Sequence, residues 1–104
     1  HPNFHPTLTH LQTKLYPLVS TTTGLPHPDF PASLLNFHLL TSAQLDNLAT
    51  HFHQVSPPSH ATSLYPITIP PWVGADAVEV DLVTKRRRFG RFIGLRGCES
   101  PLKE

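Results

Sequence analysis

The sequence predicts a mainly α fold: a small bundle of short amphipathic helices carrying a proline-rich extended arm and a basic C-terminal helix. Three observations lead there. Apolar residues recur at helical spacing in three windows before residue 56. Five prolines fall within residues 56–74. Six of the eight Lys and Arg residues fall within residues 85–96.

The N-terminal segment, residues 1–30, holds Leu8, Leu11, Leu15 and Leu18 at i, i+3, i+7 and i+10, the spacing of one helical face. Pro17 disfavours helical geometry at Tyr16, so a helix here is expected to stop near Leu15. Residues 20–31, rich in Thr, Gly and Pro, read as a loop. Residues 31–55 read as a helical hairpin. Pro31 suits a first helical position, with Leu34, Leu35, His38 and Leu39 as a short stripe. Thr41 or Ser42 then offers a new N-cap, and Leu45, Leu48, Ala49, Phe52 and Val55 form the best helical pattern in the chain, expected to pack on Leu35 and Leu39.

Residues 56–74, SPPSHATSLYPITIPPWVG, interleave prolines with Tyr65, Ile67, Ile69 and Trp72. Each proline fixes φ and holds its predecessor extended, so this stretch is expected to be an arm that lies on some apolar surface, its own or a partner's. In the last segment, residues 75–104, Val78, Val80 and Leu82 alternate with Glu79 and Asp81 as in a strand, while Asp76 and Glu79 have capping-box spacing. Residues 77–83 are therefore open between strand and helix. From Thr84 onward Phe89, Phe92, Ile93 and Arg96 share one helical stripe, Arg87 and Arg91 lie opposite, and Gly97 is placed to end the helix.

With 104 residues the chain is a single small domain with a modest core. Its apolar share is 38% and its 12 prolines are about twice average usage. A chain that begins at His1 and contains no methionine reads as a processed product or a fragment. No run approaches the roughly 18 apolar residues of a membrane span. The single cysteine, Cys98, excludes an internal disulfide framework, and an intracellular, reducing compartment is expected.

The net charge of +1 hides an asymmetry: residues 1–84 carry Lys14 against five acids, whereas residues 85–104 carry seven bases against Glu99 and Glu104. Lys85, Arg86, Arg87, Arg88, Arg91 and Arg96 are thus the expected contacts to an anionic partner. Tyr65, Trp72, Phe89, Phe92 and Ile93 are the expected apolar anchors, Trp72 first among them because tryptophan dominates interfaces when it fills a pocket. Capping of the domain's own core is the other use of Trp72.

Catalysis is not expected. His51 and His53, the densest histidine pair, point about 200° apart on a helix and cannot share a metal ion, and no cysteine stands at zinc-finger spacing. Gly90 and Gly94 match neither phosphate-loop pattern. Cys98 near Arg96 suggests a packing residue before a nucleophile. No cofactor is implied. The function expected is that of a non-catalytic accessory subunit docking on a larger protein assembly, or on itself, through the arm and the basic helix. The alternative is an RNA- or DNA-binding module using that helix on phosphates, and a thiol or metal enzyme is the remote third.

Overall fold

Ser33, Thr41 and Asp81 each offer a side-chain oxygen to a backbone N–H three residues on, and an α-helix starts after each of them. In the computed structural model, which describes residues 10–95, these are α1 (Leu34–His38), α2 (Ser42–His51) and α3 (Leu82–Phe92). A single 3-10 turn covers Ala61–Leu64. Among the described residues the protein is mainly helical and has no strand, β-pairing being confined to two isolated bridges. No helix among them is long and apolar enough to cross a membrane.

The cap of α2 is a complete capping box. The Gln44 N–H donates to Thr41 Oγ1 at 3.2 Å and the Thr41 N–H donates to Gln44 Oε1 at 2.9 Å. At α3 the Thr84 N–H donates to Asp81 Oδ1 at 2.8 Å. Hydrogen bonding from Thr84, side chain and backbone, holds the Asp81 carboxyl below its ordinary pKa. That capping contribution is present at neutral pH and is lost as pH falls through the lowered pKa.

Helices α2 and α3 end alike. Beyond α2, the His53 N–H reaches the Thr50 carbonyl and the Gln54 N–H the Ala49 carbonyl, with His53 at φ 60. Beyond α3, Gly94 at φ 82 and Leu95 repeat the pattern on Arg91 and Gly90. Both are Schellman closures. The terminator of α3 is therefore Gly94; Gly97, the residue expected in that role, lies outside the described residues. An added Cβ at Gly94 would meet nothing within 4 Å, so the cost of Gly94→Ala is the left-handed backbone alone. It is expected to lower stability by about 1–2 kcal/mol, read as a shift of the urea midpoint at constant slope.

Three expectations from the sequence are corrected. The leucine stripe of residues 8–18 does not form a helix through Leu15: helical backbone ends at Leu11, and Lys14 forms an antiparallel bridge with Ser33. The Leu15 N–H donates to Ala32 and the Leu34 N–H to Thr13, each at 3.0 Å, so pairing with a distant segment overrides the local pattern. Leu8 lies outside the described residues. Helix α1 begins at Leu34 under the Ser33 cap rather than at Pro31, and this turns Leu34, Phe37 and the following Leu40 inward while Leu35 and Leu39 face solvent. Finally, α1 and α2 do not pack on each other as a hairpin; both pack on α3. The Asp76–Glu79 capping box is not used either, and helix begins only at Leu82.

The core joins Leu34, Phe37, Leu40, Leu45, Leu48, Ala49 and Phe52 to Tyr65, Ile69, Trp72, Phe89 and Phe92. Phe52 is its centre, with ring contacts to Phe30, Tyr65 and Phe92 at centroid distances of 6.2, 6.2 and 5.6 Å. The proline-rich segment closes over this core. Its missing backbone pairing is supplied by buried Gln54, whose Oε1 accepts the Ile69 N–H at 3.0 Å while its Nε2 donates to the Phe52 carbonyl at 3.1 Å. A parallel bridge between Ser56 and Gly74 ties its two ends together.

Candidate functional site

Helix α3 carries five of the six cations expected to meet an anion, and its burial pattern sorts them. Its inner face is Lys85, Phe89, Gly90 and Phe92, with Lys85 four residues before Phe89 and Phe92 three after it. Lys85 is therefore inside: it is 2% exposed, and its Nζ donates to Ser42 Oγ at 2.7 Å, Asp46 Oδ1 at 2.9 Å and Glu79 Oε1 at 2.6 Å. All three ammonium protons have acceptors. Burial alone would lower the Lys85 pKa; the hydrogen bonds and charges of Glu79 and Asp46 outweigh it and hold the pKa above the ordinary lysine value. The same Asp46 Oδ1 accepts the Trp72 indole N–H at 2.8 Å, so one carboxylate joins α2, α3 and the proline-rich segment.

The arginines diverge around the helix. Arg86 reaches toward α1, its Nη2 donating to the Leu40 carbonyl at 3.3 Å. Arg88 reaches the arm, its Nη1 donating to the Pro70 carbonyl at 3.2 Å. Arg87 and Arg91 are half-buried, and Arg87 lines the same hollow as Arg86. Arg96 and Cys98 lie outside the described residues. The cluster that reads as one dense basic block in sequence is thus divided in space: Lys85 is neutralised internally, and two arginines brace neighbouring carbonyls.

The apolar anchors are placed differently from expectation. Tyr65, Trp72, Phe89 and Phe92 are all in this chain's own core, at 8, 3, 1 and 5% exposure, and so are withdrawn from any partner in this fold. Size explains the outcome, because a core this small needs its largest rings. The Tyr65 hydroxyl also accepts the Thr21 N–H at 3.0 Å, fastening the loop after Ser20. Ile93 is the exception. It is half-buried at the edge of a surface groove of about 390 Å3, whose other apolar lining includes Leu18, Val19, Leu64 and Ile67.

A second hollow, of about 230 Å3, lies where α1 meets α3 and is lined by Phe37, His38, Val83, Arg86 and Arg87. Val83 is 69% exposed on its rim. The Arg86 Nε is buried without a hydrogen-bond partner among the described residues. Sequence reasoning named Arg86 and Arg87 but missed Phe37, His38 and Val83, since nothing local joins a five-residue helix to a segment more than forty residues later.

The histidines serve the scaffold. His51 Nε2 lies 2.9 Å from the Leu25 carbonyl, and His53 Nε2 lies 3.2 Å from Thr22 Oγ1 and 3.4 Å from Ser20 Oγ. Among the described residues no three His, Cys, Asp or Glu side chains converge to hold a metal ion. Comparison with protein-family models, with curated proteins and with solved structures finds no match to this chain.

Proposed function

We propose that this chain is a non-catalytic interaction domain that docks on a larger protein assembly through helix α3 and the surface beside it. The observation that supports this reading best is the division of the basic cluster. A phosphate backbone is held by several cations along one track, each releasing counterions. Here Lys85 is paired with Asp46 and Glu79, and Arg86 and Arg88 leave the helix on different sides. What remains outward is mixed: Leu39, Leu64 and Val83 are exposed, and Val83 lies beside Arg86 and Arg87, as at the edge of a protein interface.

In this reading the proline-rich segment is an arm that wraps its own domain with Tyr65, Ile69 and Trp72 and turns Leu64 and Ile67 outward to the partner. The basic helix keeps its anion-contacting role through Arg86, Arg87 and Arg91. Ile93 contributes from the groove at the end of α3.

Charge reversal tests this. Tagged protein recovered from its native source is expected to bring down a protein partner that survives nuclease treatment, and the double variant Arg87→Glu/Arg91→Glu is expected to lose it by at least tenfold with its helical circular dichroism unchanged. Recovery of nucleic acid in place of protein, with binding that weakens steeply between low and physiological salt, would favour the RNA- or DNA-binding alternative. Undiminished recovery with the double variant would remove α3 from the contact.

A further inference from the structure

We draw no further inference here: the strongest candidate, the apolar groove of about 390 Å3 at the end of α3 between residues 18–19 and 64–67, is an unpartnered surface, and nothing in the structure shows what covers it.

Discussion

Replacing Asp46 by alanine is expected to lower the stability of this protein by about 3 kcal/mol, because one carboxylate oxygen serves two buried donors. Asp46 Oδ1 accepts from Lys85 Nζ at 2.9 Å and from the Trp72 indole N–H at 2.8 Å. Removing one partner of a buried ion pair costs about 3–5 kcal/mol. Asp46 is itself 42% exposed and Glu79 still holds the ammonium, which brings the figure to the lower end. Asp46→Asn keeps an acceptor in place and is expected to cost less than half as much. Lys85→Met separates charge from packing: it fills the same buried channel, removes the desolvated ammonium and leaves two carboxylates that water can reach, so its expected cost is no more than about 1–2 kcal/mol. Urea midpoints at unchanged slope measure all three. An Asp46→Ala variant within 0.5 kcal/mol of the parent, on the order of an ordinary surface substitution, would mean that the network does not hold α2, α3 and the arm together.

The pH dependence follows from the direction of the Lys85 shift. Its folded pKa lies above the ordinary value of 10.5, so its contribution to stability is complete below that value. It is lost only as pH rises through the raised pKa. Lys85→Met is therefore expected to flatten the alkaline end of the stability profile.

Helix α2 is legible in the sequence because everything that forms it is local: a Thr41–Gln44 capping box, four apolar residues in phase, and enough length to express the period. Helix α1 is not, since five residues hold too little period to set their own phase, and the inward choice of Leu34 over Leu35 is made by the Ser33 cap and the pairing of residues 13–15 with 32–34. The same limit governs the candidate site. Charge density around Lys85 is visible along the chain, but which cation turns inward depends on Asp46, 39 residues away, and on Glu79. The proline-rich stretch reads in sequence as an extended arm with large rings, but Ala61–Leu64 within it form a 3-10 turn, and that the surface beneath the stretch belongs to the same chain depends on Gln54, a side chain with no local signature.

Gly74→Ala is expected to be the other severe substitution, at about 3 kcal/mol or more, because it combines backbone strain with a collision that neither side can avoid. Gly74 has φ 124, a conformation L-residues rarely adopt, and a Cβ there would run into the backbone carbonyl of Ser56. That carbonyl cannot retreat, since it accepts the Ala75 N–H at 3.1 Å while the Ser56 N–H donates to Val73 at 2.9 Å. These two bonds are the bridge that returns the arm to the end of α2 and seats Trp72 against Asp46. Breaking them is expected to free residues 69–74 before the helices melt, so hydrogen exchange at Ser56 and Ala75 should accelerate well ahead of exchange at Leu45 and Leu48. Gly94→Ala is the matched control, with a positive φ but open space around the new Cβ. If the two alanine variants lose the same stability, within about 0.5 kcal/mol, the close approach of Gly74 to Ser56 contributes nothing and the arm is fastened elsewhere. A loss at Gly74 at least twice that at Gly94, with tryptophan emission shifted to longer wavelength, would establish the bridge as the clasp that keeps the arm on its own core.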